Sequence, residues 1–281
     1  MTDPTLHDVR KLIGAHGHGF QYAVVRRAKE LAEEGVSYWV FEAAEFPVGA
    51  ADNPIHVDFV LGNLRATVYL VVECKRADPA RANWCFLRAP YTRRNARESE
   101  LVFQEVRYEA DTLVVPRPRT VHASIDSTHL GLELRAGAKG EGVVTGSAIK
   151  DATAQVLRGM NGLLDHLFPN QRPARGQKGT TVVFVPVIFT TARLWVAKGD
   201  LSTADLKTGM LPEAWGSVTS VPWLWYTHNQ SPALRHRLPS PGPAAVEISS
   251  ALHAEFSRTI AVVGPDGIDP FLQADLVEWL M

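Results

Sequence analysis

The sequence predicts an α/β fold: a mixed central sheet flanked by helices. Two observations carry this. Apolar, β-favouring runs such as residues 66–75 and 180–189 lack the alternation of a half-exposed strand and read as strands buried on both faces. Helical stripes at 20–34 and 147–167 precede the first and the second of these runs, so the order is helix, three strands, helix, strand. A chain of 281 residues, 46% hydrophobic and 21% charged, can bury a full α/β core without being forced into two domains.

Composition excludes several classes. No apolar run approaches the roughly 20 residues of a membrane span, and the first residues lack a basic region followed by a hydrophobic one, so a cytoplasmic protein is expected. Cys74 and Cys85 are the only cysteines, too few for a disulfide framework and not at a metal-knuckle spacing. The net charge of -1 gives no global basic signature, so a nucleic-acid partner would need a local basic patch.

Asp3 as cap and Pro4 as first residue start a short helix over 4–13, with Leu6, Val9, Leu12 and Ile13 on one side. His16-Gly17-His18-Gly19 reads as a loop, or as two histidines of a metal site. The helix over 20–34 carries Phe20, Val24, Ala28 and Leu31 on its apolar stripe, and Gly35 stops it. A strand over 36–48 follows. Residues 54–61 and 66–75 then form a hairpin around Gly62, Asn63 and Arg65.

The hairpin holds the candidate site. Glu73 and Lys75, two apart, leave one face at the end of a strand otherwise surrounded by core, where two charges cost several kcal/mol unless paired. They form a local ion pair or join Asp58 of the preceding strand. A hairpin tip at Leu64 and Arg65 puts Asp58 opposite Val71 and diagonal to Glu73, roughly 7–8 Å away, close enough to share a cation. A tip at Gly62 and Asn63 would put it opposite Thr67, too far away.

Residues 77–146 read as an inserted region with strand-like stretches at 101–107, 112–115 and 129–135. Arg81, Arg88, Arg93, Arg94 and Arg97 interleave with Trp84, Phe86 and Tyr91. The arginines suit phosphate and the aromatics suit bases, while Glu98, Glu100, Glu105, Glu109 and Asp111 would instead make the region an ion-pair network. The helix from Ser147 to Leu167 carries Gln155 and Arg158 three apart, on one face, in reach of substrate phosphate. A basic loop with Arg175 and Lys178 leads into the strand at 180–189, and a strand at 193–197 follows. Past residue 200 come a capped short helix, an aromatic segment from Trp215 to Tyr226, the basic Arg235-His236-Arg237, a helix at 244–257, a strand at 259–263 and a last helix from Asp269-Pro270.

Asp58 followed by Glu73-Cys74-Lys75, in this element order, resembles the PD-(D/E)XK nuclease superfamily of many restriction enzymes and repair nucleases. The resemblance implies a restriction-endonuclease-like core over about 17–198 within a domain 1–198, with the insertion at about 77–146 and a C-terminal extension over 199–281 packed on the core. It implies a Mg-dependent endonuclease, with Mn able to substitute: Asp58, Glu73 and the Cys74 carbonyl hold the metal, and Lys75 orients or deprotonates the attacking water. Gln21 matches a family glutamate on the first helix, and Gln155 a family glutamine on the later one, each in a supporting role. Arg93, Arg94, Arg158, Arg175 and Lys178 would bind nucleic acid, DNA ahead of RNA, in a homodimer or a larger bacterial restriction or antiphage complex away from any membrane. The family proline before the aspartate is here Val57, the family glutamate of the first helix is here the uncharged Gln21, and Gly159 stands where some members have tyrosine. Those departures favour an inactive nuclease-like binding module as one alternative, and a zinc hydrolase centred on His16 and His18 is the other.

Overall fold

The computed structural model describes residues 5–49, 54–88, 100–107, 116–122, 127–134, 147–167, 180–229 and 255–280. Helices α1 (Leu6–His16) and α2 (His18–Glu33) are parted only by Gly17, whose left-handed φ of 83° does in one residue what the sequence assigned to a four-residue loop. Three antiparallel strands follow: β1 (Trp39–Val48), β2 (Ile55–Asn63) and β3 (Val68–Lys75). Next in the chain are β4 (Asn83–Leu87), β5 (Glu100–Arg107), β6 (Pro116–His122), β7 (Ser127–Thr128), β8 (Leu130–Leu134) and helix α3 (Ser147–Leu167). The chain goes on through β9 (Thr181–Thr190), β10 (Arg193–Lys198), β11 (Ser217–Val221), β12 (Trp223–Asn229), β13 (Ser257–Val263), α4 (Ile268–Gln273) and α5 (Leu276–Leu280).

A nine-stranded mixed sheet organises the molecule, in the order β1-β2-β3-β9-β13-β12-β7 with β5 and β6 attached beside β9. Strand β9 is its axis. One edge pairs parallel with β3 along the whole of β3, while the other is divided: residues 181–184 pair antiparallel with β5, and 187–189 pair parallel with β13. With neighbours on both edges and cover on both faces, β9 reads as a continuous apolar run, as the sequence suggested. A smaller four-stranded sheet, β11-β10-β4-β8, contributes Trp84, Phe86, Leu194 and Val196 to the core on the α3 face. Helices α2, α4 and α5 cover the opposite face, where Arg27 clamps Asp269 with bonds of 2.9 and 2.7 Å.

The expected segmentation changes here. The region 77–146 does not stand apart as one lobe, because β5 and β6 belong to the main sheet and β4 and β8 to the small one. The boundary at 198 falls between the paired strands β10 and β11, and β12 and β13 lie inside the main sheet. Hydrogen bonding across non-local strands, which periodicity does not report, is the reason. Trp84 and Phe86 are 1% and 0% exposed, which removes them from any base-stacking surface. Of the acids and arginines in that region, Glu105 is buried among Arg107, Arg117 and Arg119 as an ion-pair set. The start of the expected helix at 244–257 and the strand at 112–115 lie outside the described residues, and Ser257 is already strand.

The β2–β3 turn is fixed by one side chain. Asn63, 5% exposed, accepts from the backbone N–H groups of Thr67 (2.8 Å) and Val68 (3.0 Å) and donates to the Thr67 hydroxyl at 3.0 Å. The turn therefore centres on Arg65 and Ala66, with Ala66 at φ 52°, one residue beyond the expected tip. Asn63→Ala should cost about 2 kcal/mol in urea unfolding, because it strands two N–H groups where water has little access.

Candidate functional site

The site forms at the C-terminal end of β3. Alternation places Tyr69 and Val71 on the α3 face, and Glu73 and Lys75 follow them there. Lys75 Nζ donates to Gln155 Oε1 of α3 at 2.8 Å and lies 3.9 Å from Glu73 Oε1. The pairs Phe59↔Val72 and Val60↔Val71, carried one step on, set Asp58 directly against Glu73. That is neither of the two registers read from the sequence, since the turn lies further along, and it leaves Asp58 near enough for its charge to act on Glu73. At this point the backbone ladder gives way: Asp58 Oδ2 accepts from the Cys74 N–H at 2.6 Å.

Burial governs the electrostatics. Glu73, 7% exposed, has its carboxyl pushed up to about 8, first by burial and then by the Asp58 charge, against a smaller pull from Lys75. Burial also raises Asp58, while the Cys74 N–H, Lys75 and His18 favour its ionised form and Glu45 opposes it. The Cys74 thiol is driven well up by burial and by the same two carboxylates, so it is an inert thiol. Two adjoining acids with one ammonium beside them leave negative charge that a proton or a cation would balance.

Gln21 sits at the back of this group, 4% exposed, donating to the Asp58 carbonyl at 3.0 Å and to Glu45 at 3.5 Å. Its contact with the aspartate is thus through the backbone. Glu45 is the residue the sequence reading missed. The register Ala44↔Phe59 and Phe46↔Val57 leaves it across from Asp58, with its backbone at φ 53°. Ala44 and Phe59 face α2, whereas Phe46 and Val57 face α3, so both strands change phase at these two acids. Tyr22 Oη donates to Glu45 at 3.1 Å, and His18 Nδ1 lies 3.8 Å from it. A second acid within the β1 run was the available signal, but nothing local marks a phase change.

Asp58 and Glu73 supply the hard oxygen ligands that Mg prefers, and Mg ordinarily keeps several waters. Among the described residues no three His, Cys, Asp or Glu side chains gather into a group able to hold a metal by themselves, so two carboxylates and a carbonyl fit only such a partly hydrated ion. Of the two histidines of the alternative metal site, His18 is drawn to Glu45, and the His16 side chain lies outside the described residues. Arg158 is exposed on α3, its Nε donating to the Ala154 carbonyl at 3.2 Å. Arg93, Arg94, Arg175 and Lys178 lie outside the described residues.

No family model, curated protein or solved structure gives a significant match to this chain. Among the described residues no helix is long and apolar enough to cross a membrane.

A folded-state value near 8 against an ordinary 4.5 means that folding favours protonated Glu73. That contribution is complete below the ordinary value and is lost as pH rises through about 8. Glu73→Gln should therefore be nearly neutral in unfolding experiments at acid pH and stabilising by on the order of 2 kcal/mol at alkaline pH without divalent cations. Equal effects at both pH values would mean that the carboxyl is not held neutral by its surroundings.

Proposed function

We propose that this protein is a Mg-dependent endonuclease that hydrolyses phosphodiester bonds of DNA, built on a restriction-endonuclease-like core. One observation carries the reading: Asp58, Glu73, Lys75 and Gln155, distant in sequence, meet at the carboxyl end of a strand paired parallel with β9. Crevices at such strand ends are where α/β sheets take their ligands.

In this reading Asp58, Glu73 and the Cys74 carbonyl hold Mg, with Mn able to replace it. When bound, the ion offsets charge on the scissile phosphate. Lys75 is held in place by Gln155 and steadies or deprotonates the water in line with the leaving oxygen. Gln21 fixes the β2 backbone that aims Asp58. Arg158, with Arg93, Arg94, Arg175 and Lys178, would follow the substrate backbone, DNA in preference to RNA. A cytoplasmic restriction or antiphage system, as a homodimer or within a larger complex, is the setting this chemistry suits.

A second reading, an inactive nuclease-like module that binds nucleic acid or a protein partner, draws on one contact. A Cβ at Gly159 would lie 3.1 Å from Val57 Cγ2, so two of the positions that depart from the family pattern pack against each other, and a side chain added at 159 would press on Val57.

Lys75→Ala should lower Mg-dependent cleavage by at least about 100-fold while leaving calorimetric Mg binding and DNA binding in place. Asp58→Ala should lose cleavage and Mg together. Cleavage by Lys75→Ala at the parental rate would refute the mechanism, and a parent inactive with Mg and Mn on a DNA and RNA panel would establish the binding module.

A further inference from the structure

A cavity of about 590 Å³ opens beneath the C-terminal end of α3, on the same face of the sheet as the acid pair. Its floor is the stacked pair Tyr69 and Phe184, with ring centroids 5.5 Å apart and planes 17° from parallel. Phe46, Leu163 and Leu167 help to wall it. Tyr69 precedes Glu73 by four positions on β3, roughly 13 Å at about 3.3 Å per residue, while Phe46 and Val60 carry the wall to within two positions of Glu45 and Asp58. Asp58, Glu73, Lys75 and Gln155 are not part of its lining.

The polar groups at its mouth are unequal. Arg65 and His166 are both exposed, and neither is ion-paired among the described residues. Glu42, also exposed and without an ion pair among the described residues, is turned over Gly62, where one of its oxygens would lie 2.7 Å from a Cβ, and its charge adds to burial in raising the Tyr69 hydroxyl. An apolar chamber of this size suits a small organic molecule, and an unpaired guanidinium at the entrance suits an anion.

We propose that this cavity binds a small amphiphile with an apolar body and one anionic head group, such as an alkyl or aryl carboxylate, with Arg65 receiving the head. The ligand bridges α3 and the β2–β3 hairpin. Binding needs no nucleolytic step, so it can be read whether or not the protein cleaves DNA.

The test is calorimetric titration of the full chain with dodecanoate, below its micelle concentration, and with dodecyltrimethylammonium as the head-group control. Saturable one-to-one binding of dodecanoate is expected, with the cation at least about tenfold weaker. Arg65→Glu alters an exposed residue and should reverse that preference, with the melting temperature reporting an intact fold. Ala43→Trp, which fills the chamber from β1, should abolish binding of both. No saturable binding of dodecanoate by the parent, equal affinity for the two head groups, or unchanged affinity in Arg65→Glu would each overturn the proposal.

Discussion

The hydrogen bonds of the Asn63 side chain decide where everything downstream in this molecule lies. By capping the Thr67 and Val68 N–H groups they set the turn at Arg65 and Ala66, and the turn sets the pairing of β2 with β3. A strand shifted by one residue exchanges its faces, so any odd slip would send Glu73 and Lys75 toward α2 and leave Asp58 alone. A buried amide oxygen with two donors is strong enough to prevent that, and the left-handed Ala66 is tolerated because the amide holds the turn around it.

The second constraint is close packing by α3. Gly159 and Gly162 bring the helix against Val57 and Val48, where a Cβ would lie 3.1 and 2.9 Å from the valine methyls. Seated that deeply, α3 delivers Gln155 to Lys75 without a bridging water and excludes solvent from Glu73. Low solvent access in turn keeps the two carboxylates poised between proton and cation.

Legibility followed the range of the interactions. The α3 helix, from Ser147 to Leu167, and the strands around Val71 and Val185 were readable because periodicity and buried apolar runs are local signals. Asp58, Glu73 and Lys75 could be singled out because charge at the end of an apolar strand is anomalous wherever it occurs. Gln21 and Gln155 were visible only by resemblance, since nothing in a helix distinguishes a glutamine that reaches a strand from one that faces water. Glu45 was not legible at all: its approach to Asp58 comes from a left-handed residue within a strand, and glutamate has no preference for that conformation. The sheet order was equally hidden, because β13 joins β9 across more than sixty intervening positions through backbone groups that every residue has.

The divided edge of β9 has a consequence for how the molecule is made. Residues 187–189 acquire their neighbour on this edge only when 261–263 leave the ribosome, well after β9 itself. Until then Val187, Ile188 and Phe189 present an open, apolar strand edge beside an already pairable β3, the geometry most prone to capture by another nascent chain. Strand β5, emitted earlier, covers only residues 181–184 and shields the other half. Biosynthesis thus leaves the end of β9 paired with Glu73 to be closed after β3, β5 and α3 are made, and escape from aggregation depends on that later strand.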